Sequence, residues 1–132
     1  MPQFNAGKCI WLILYGCQGL ERMDERWCKQ MLRRLAEDEI HMTLLPANCA
    51  HTLTHPEDPE KSGVSACQLI AESHLAVHTW PESRGVTLLV YSCRKFKTHR
   101  LVRYVQRMFR PQIIDVREAE RKYVLCRKEG AL

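Results

Sequence analysis

Short apolar runs, joined by connections of a few residues, constrain the fold of this chain more than any other feature. Three of them follow one another at 64–71, 75–80 and 86–93. The segment 81–85, which reads PESRG, separates the last two runs and contains the proline and glycine typical of a turn. Connections of hairpin length favour antiparallel pairing, so these runs predict the centre of an antiparallel sheet.

Two helices and further strands are predicted outside this centre. Apolar side chains recur at helical spacing over 22–37 and over 98–109. They are Met23, Trp27, Met31, Leu32 and Leu35 in the first helix, and Leu101, Val102, Val105, Met108 and Phe109 in the second. Pro111 ends the second helix, because proline cannot continue the pattern of helical hydrogen bonds. We predict strands over 9–15, 40–45, 49–54, 112–117 and 122–127, and a polar loop over 55–63.

The order of these elements predicts an α+β fold, a two-layer sandwich in which helices pack on one face of an antiparallel β-sheet. The 132 residues, 45% hydrophobic and 27% charged, fit a single domain over 1–132. The longest apolar run, 9–15, is far shorter than the ~18–20 residues of a membrane span. Because no secretion signal is recognisable either, we expect a cytoplasmic protein without a membrane partner.

The charge and the cysteines exclude several classes of site. Residues 1–72 hold 7 basic and 10 acidic side chains, whereas 73–132 hold 13 and 5. In the predicted helix 98–109 the arginines lie opposite the apolar stripe, as on a solvated helix face, so we expect no nucleic-acid partner. The seven cysteines are odd in number and form no Cys-x-x-Cys pair. Most of them are therefore expected to be small buried residues of a reduced protein. We do not expect them to form disulfides or to bind zinc.

The segment 63–82 holds the residues best suited to chemistry. His74 and His78 are four residues apart, and their β-branched and aromatic neighbours favour a strand with both on one face. Such a pair without a third ligand is a weak metal signal, so we expect no metal. Ser73, between Glu72 and His74, is compatible with a nucleophile served by a histidine base. Serine and histidine occur together too often for this pattern alone to decide a function.

A longer motif resembles a known family. Residues 72–75 (ESHL), continued by 78–82 (HTWPE), are similar to the processing site of the prokaryotic S-adenosylmethionine decarboxylase proenzymes, which are pyruvoyl-dependent and self-cleaving. The upstream residues 63–65 (GVS) fit the same pattern. So do residues 91–93 (YSC), in which the cysteine follows the serine of the first motif by twenty residues. The close resemblance covers about residues 63–93, and the order of elements agrees over most of the rest.

This resemblance implies that the chain cuts itself. The hydroxyl of Ser73 would attack the carbonyl of Glu72, and the peptide would rearrange to an ester. β-Elimination would then release a β chain, 1–72, and leave the former Ser73 as a pyruvoyl group on an α chain, 73–132. The family pattern assigns His78 as the proton acceptor in processing and Ser65 as a hydrogen-bonding partner of the rearranging centre.

The resemblance also implies the reaction of the mature enzyme. The pyruvoyl group forms a Schiff base with the substrate amine and accepts the electron pair left by departing CO₂. Cys93 matches the acid that reprotonates the substrate, and Glu82 the carboxylate that binds the ribose hydroxyls. Trp80 is expected in the core or in the wall of the site. The family forms homodimers of cleaved protomers with each site near the interface, needs no metal, and supplies the aminopropyl donor for spermidine.

Several positions depart from the family pattern and leave the substrate open. The loop 55–61 has no aromatic residue besides His55, and residues 10–15 have no acidic one. Leu89 stands where members have aspartate, and Arg94 where they have glycine. Two substrates therefore remain: S-adenosylmethionine, or a basic amino acid, ornithine or arginine. A non-catalytic regulatory paralogue is a third alternative, which the complete set of processing residues disfavours.

Overall fold

The computed structural model describes residues 6–119 and Cys126. In this part the chain forms six strands and two α-helices, together with 3₁₀ turns at 20–22 and 59–61. The strands are β1 (Lys8–Tyr15), β2 (Thr43–Leu53), β3 (Gly63–Ala71), β4 (Ser73–Trp80), β5 (Gly85–Ser92) and β6 (Ile113–Glu118). The helices are α1 (Glu25–Arg34) and α2 (Thr98–Phe109).

The six strands form one sheet in the order β2-β3-β4-β5-β1-β6, and all neighbouring strands are antiparallel. The hairpin predicted around 81–85 is present, with Trp80 of β4 paired to Gly85 of β5. Strand β1 lies between β5 and β6, which are distant from it in sequence. The two helices pack against the sheet and touch each other through the rings of Trp27 and Phe109, 5.4 Å apart. The predicted α+β sandwich is confirmed.

The core lies between the helices and one face of the sheet. Successive side chains of a strand point to opposite faces, so every second residue is buried. On the core side these are Ile10, Leu12 and Leu14 of β1, Leu75, Val77 and Thr79 of β4, and Val86, Leu88 and Val90 of β5. The opposite face is covered by neither α1 nor α2, and its residues are half-buried or exposed. Trp11 and Tyr15 of β1 are about half exposed there, at 49% and 48%.

The first predicted helix is shorter than expected. It was predicted over 22–37, but α1 begins at Glu25, because the carboxylate of Asp24 accepts a hydrogen bond from the Trp27 backbone N–H at 2.8 Å and caps the first turn. After Arg34 the chain continues as a wider π-helical turn over 35–39. Met23, predicted on the helix, precedes it and still reaches the core.

The two strands predicted over 40–45 and 49–54 are one strand, β2, with an irregularity between Leu44 and Asn48. Pro46 lies within it and has no N–H to donate to β3, which explains the shift of register and fits the edge position of β2. The strand predicted over 112–117 is β6, and the one predicted over 122–127 lies, apart from Cys126, outside the described residues. Within residues 6–119 no helix is long and apolar enough to cross a membrane.

The cysteines divide into two groups. Cys17 and Cys28 are buried as expected, and burial raises the pKa of the Cys28 thiol to about 12. Cys49 is exposed, and Cys67 and Cys93 are half-buried. Cys9 is half-buried too and Cys126 is exposed, so the expectation that most of the cysteines are buried was wrong. Cys9, Cys49 and Cys67 lie on the face of the sheet that the helices leave uncovered. Cys93 was expected instead to match the catalytic acid of the family.

Candidate active site

Ser73 is the first residue of β4 and lies directly after the tight turn from β3. Ile70 of β3 pairs with Ser73 of β4, which leaves only Ala71 and Glu72 to reverse the chain. The backbone of Ser73 has a φ of 122°, a region that residues other than glycine rarely adopt. Strain of this kind persists only where the surrounding structure holds it, and it is concentrated at reactive sites. The Glu72–Ser73 bond therefore lies in a tight, strained turn.

Cys93 contacts both sides of this bond. Its backbone N–H donates a hydrogen bond to the carbonyl oxygen of Glu72 at 3.3 Å. Its Sγ lies 3.5 Å from the Oγ of Ser73. The register of β4 and β5 explains both contacts, because Ser73 is the direct partner of Ser92 and the next residue falls beside the turn. An N–H in this place stabilises negative charge that develops on the carbonyl oxygen under attack.

Two further residues shape the surroundings of Cys93, and the sequence analysis did not assign either a role. The hydroxyl of Tyr91 donates to the carbonyl of Ala6 at 2.7 Å and lies 3.9 Å from the Cys93 sulfur. Gly7, with a φ of 75°, lets the segment before β1 pass close to the backbone at Ser92, where a Cβ would clash. The positive φ needed at Gly7 could not be read from the sequence, whereas Tyr91 belongs to the recognised motif.

Ser65 and His78 form a second group. They are direct partners on β3 and β4, and the Oγ of Ser65 lies 2.5 Å from the Nδ1 of His78. Burial lowers the pKa of His78, because a half-buried charged imidazolium is poorly solvated. The ring also packs against that of Trp80, with centroids 4.0 Å apart. A neutral imidazole oriented by a hydroxyl is suited to accept a proton.

The two groups do not meet within one chain. His78 follows Ser73 by five residues on β4, which corresponds to about 17 Å along a strand. The structure thus brings Glu72, Ser73 and Cys93 together at one end of β4. It places Ser65, His78 and Trp80 towards the other end, on the uncovered face. Glu82 is exposed in the turn that follows Trp80, so it belongs with the second group.

A groove of about 500 Å³ runs over the uncovered face beside this second group. Its lining includes Trp11, Cys49, Ser65, Cys67, His78 and Leu89. Leu89, which replaces the aspartate of the family pattern, contributes apolar surface there. Among the described residues no group of three or more His, Cys, Asp or Glu side chains could hold a metal ion.

Comparisons with known proteins agree with this geometry. The sequence model of the S-adenosylmethionine decarboxylase family matches residues 8–122. The chain belongs to this family. The S-adenosylmethionine decarboxylase proenzyme of Methanococcus maripaludis is 31% identical over 118 residues, which cover 89% of this chain and 90% of that protein. The family is one of decarboxylases made as proenzymes, so the resemblance found in residues 63–93 is confirmed.

Two other members bear on fold and substrate. The crystal structure of the adenosylmethionine decarboxylase from Aquifex aeolicus superposes with a TM-score of 0.67 at 26% identity, over 96% of this chain and 99% of that one. The arginine decarboxylase proenzyme of Aeropyrum pernix is 36% identical over 88 residues, or 67% of this chain and 62% of that protein. The relatives of this chain therefore include decarboxylase proenzymes with two different named substrates.

Proposed function

We propose that this chain is a self-processing, pyruvoyl-dependent S-adenosylmethionine decarboxylase that cuts its own Glu72–Ser73 bond and supplies the aminopropyl donor for spermidine. One observation carries the proposal. Cys93 contacts both halves of the reacting bond, through its backbone N–H at the Glu72 carbonyl and through its thiol at the Ser73 hydroxyl. A serine placed in the turn for structural reasons alone would not need either contact.

Processing would proceed in two stages. The Ser73 Oγ attacks the Glu72 carbonyl carbon, the charge on the carbonyl oxygen is held by the Cys93 N–H, and the C–N bond breaks to leave an ester. A base then takes the Cα proton of residue 73, the Cα–Cβ double bond forms, and Glu72 leaves as a carboxylate. Hydrolysis of the resulting enamine releases ammonia and leaves the ketone. The strained φ of Ser73 favours the first stage, because rearrangement relieves it.

A second copy of the chain would supply the base. Within one chain Ser65 and His78 are about 17 Å from Ser73 along β4. Ser65 and His78 lie on the uncovered face, and Ser73 lies at the end of the same strand as His78, so two copies can stack these faces around a twofold axis that crosses the strands near Ala76. Each His78 then lies over the partner's Ser73. The family's homodimer of cleaved protomers is thus the assembly that would complete the site, and it covers the apolar face.

In the mature enzyme the pyruvoyl group, made from Ser73 itself, would supply an electron sink for decarboxylation. The Cys93 thiol lies next to residue 73 and would deliver a proton to the carbon that loses CO₂. Glu82 and Trp80 lie at the His78 end of β4, so they would bind substrate at the partner's residue 73. Proton transfer and substrate binding are thereby assigned to different chains.

A basic amino acid is the second candidate substrate. The match to the arginine decarboxylase proenzyme of Aeropyrum pernix favours it. S-Adenosylmethionine is favoured by the larger share of both chains covered in the match to the Methanococcus maripaludis proenzyme. A non-catalytic regulatory paralogue is disfavoured, since it would not need Glu72, Ser73 and Cys93 in mutual contact.

Two measurements test the proposal. Mass spectrometry of the purified, denatured protein is expected to find chains 1–72 and 73–132, the second blocked by a ketone at its first residue. A folded protein that stays in one piece after long incubation would contradict self-processing. Release of labelled CO₂ from carboxyl-labelled S-adenosylmethionine, arginine and ornithine then identifies the substrate.

A further inference from the structure

Two thiols face each other on the uncovered side of the sheet. Cys49 of β2 and Cys67 of β3 are direct partners in the antiparallel register. Opposite residues in such a pair have Cα atoms about 4.5 or 5.5 Å apart, according to their place in the hydrogen-bond ladder. Both values lie within the range of about 4.4–6.8 Å that a disulfide spans. The backbone thus already holds the two cysteines at a distance that a disulfide can bridge.

The side chains of both cysteines lie on the uncovered face of the sheet. Cys67 alternates along β3 with Ala66 and Gln68, which are buried in the core, so its thiol lies on the uncovered face. Both cysteines line the groove on that face, Cys49 exposed and Cys67 half-buried. Burial raises the pKa of the Cys67 thiol, and the charge of the nearby Cys49 raises it further. The two sulfur atoms are therefore neighbours, and Cys49 is the more accessible.

We propose that Cys49 and Cys67 form a reversible disulfide when the protein meets a peroxide, and that they are a covalent modification site apart from Ser73 and Cys93. The exposed Cys49 thiolate attacks a peroxide oxygen, the O–O bond breaks, and sulfenic acid and water form. The sulfur of Cys67 then attacks the Cys49 sulfur, the S–S bond forms, and a second water leaves. The two thiols are oxidised by two electrons in all, and hydrogen peroxide is reduced to water.

The oxidant can reach this pair in the single chain. Strand β2 is the edge of the sheet, so Cys49 lies at the rim of the uncovered face. The groove beside it, of about 500 Å³, is far larger than a hydrogen peroxide molecule, which is about the size of two waters. Cys67 is the direct partner of Ala76, near which the proposed twofold axis runs, so oxidation of the pair would precede the assembly of two copies.

The disulfide would act on its neighbours. Ser65 lies two residues from Cys67 on the same side of β3, where it is paired with His51 of β2 and with His78 of β4. Opposite side chains have Cβ atoms about 4.5–5.5 Å apart, whereas a disulfide brings them to about 3.5–4.5 Å. The bond therefore draws β2 towards β3 beside the Ser65–His78 hydrogen bond. We expect this shift to slow self-processing. That consequence rests on the proposed function, whereas formation of the disulfide does not.

Peptide mapping tests the disulfide. The freshly synthesised full-length chain is treated with hydrogen peroxide at a protein concentration too low for dimers to form. The remaining thiols are then alkylated, and the digest is analysed by mass spectrometry. We expect a Cys49–Cys67 linked peptide that dithiothreitol removes. Cys49→Ser should abolish it, whereas Cys9→Ser, at a half-buried cysteine of β1, should leave it unchanged. Alkylation of both Cys49 and Cys67 after peroxide treatment, or oxidation of Cys49 without a linked peptide, would overturn the proposal.

A second measurement tests the consequence. Freshly synthesised precursor, in the parent and in Cys49→Ser, is followed for cleavage with and without peroxide, at a peroxide dose that leaves the Cys93 thiol reduced. Processing should slow several-fold, and Cys49→Ser should remove the effect of peroxide. Equal rates in the presence of the linked peptide would overturn the effect on Ser65 and leave the disulfide in place. Absence of cleavage under all conditions would contradict the proposed function instead.

Discussion

Cys93 makes two separable contacts at the residue scale. Its backbone N–H meets the Glu72 carbonyl, and its thiol meets the Ser73 hydroxyl. A side-chain substitution removes the second contact and keeps the first. The processing reaction and the decarboxylation reaction should therefore respond differently to changes at this one residue and at its neighbours.

Ser73→Ala should leave the chain uncleaved, because no hydroxyl remains to attack the Glu72 carbonyl. Mass spectrometry of the purified variant is expected to show one species of 15.5 kDa, apart from the small change of mass. Ser83→Ala, in the exposed turn after β4, is the matched control and should be processed like the parent. Cleavage of Ser73→Ala between the same residues would show that another group is the nucleophile.

Cys93→Ala should still be cleaved, since the N–H that holds the Glu72 oxygen belongs to the backbone. Its turnover should fall by about 10²–10⁴-fold, the usual contribution of a positioned acid. Chain cleavage is measured by mass and turnover by CO₂ release, with Cys9→Ala as a control that should retain both. Parental turnover in Cys93→Ala would assign proton delivery to another residue.

His78 should make the protein sensitive to acid. Burial lowers its pKa in the folded chain, so as pH falls the unfolded chain takes up the proton first. Stability contributed by the neutral ring is present above the unfolded value of about 6.5 and is lost as pH falls below it. Asparagine cannot titrate. The free energy of unfolding of His78→Asn should therefore fall less than that of the parent when the pH is lowered.

Urea unfolding at pH 7.5 and 5.5 measures this difference. Ser73→Ala is the background, because it keeps the chain in one piece. His51→Asn, at an exposed histidine on β2, is the control. An equal loss of stability in the parent and in His78→Asn between the two pH values would contradict the role assigned to burial of His78.

At the scale of the elements, the β4–β5 hairpin determines the geometry of the site. The turn at 81–84 sets the register that makes Ser73 and Ser92 partners. Only in this register does the residue after β5 reach the Glu72 carbonyl. A shift by one residue would also turn the buried residues of β5 to the uncovered face, so the core and the site depend on the same register.

Asp24 should stabilise the helix layer that supports this sheet. It caps α1 through the Trp27 N–H, and its replacement by alanine should lower the free energy of unfolding by about 0.5–2 kcal/mol. Asp24→Asn retains an oxygen that can accept the same hydrogen bond and should lose much less. Denaturant titration of both variants in the uncleaved Ser73→Ala background measures the difference. Similar losses in the two would mean that charge, not the cap, is responsible.

At the scale of the whole molecule, the sandwich has one face covered by helices and one face left open. The open face bears Trp11, Tyr15 and the groove lined by Ser65 and His78. The separation of His78 from Ser73 along β4 makes the single chain an incomplete catalyst in our proposal. Assembly would then be a requirement of processing, in addition to a source of stability.

Mixed assemblies should restore processing that neither variant performs alone. Ser73→Ala provides an intact His78, and His78→Ala provides an intact Ser73. Coexpression should yield cleavage of the His78→Ala chain only, at up to half of the sites, because each site takes its serine and its base from different chains. Tags of different mass on the two chains identify the cleaved one. Failure to cleave in a proven mixed dimer would place both residues in one chain's site.

The sequence by itself determined the local features. Short apolar runs and the turn at 81–85 predicted the β4–β5 hairpin, and helical spacing predicted α2 with its end before Pro111. The motif around Ser73 indicated the family, which the match over residues 8–122 confirmed. Periodicity and turn chemistry act between residues close in sequence, so these features can be read without knowledge of the rest of the chain.

Only the tertiary structure decided which distant residues meet. Spacing could not reveal that β1 lies between β5 and β6, or that the Cys93 N–H reaches the Glu72 carbonyl. Nor could it show that Cys49 faces Cys67 while His78 is far from Ser73. These relations depend on the order and register of paired strands. Both are selected by burial of the whole apolar face against the helices. The free energy of this burial depends on residues from all the strands together, so no short segment determines it.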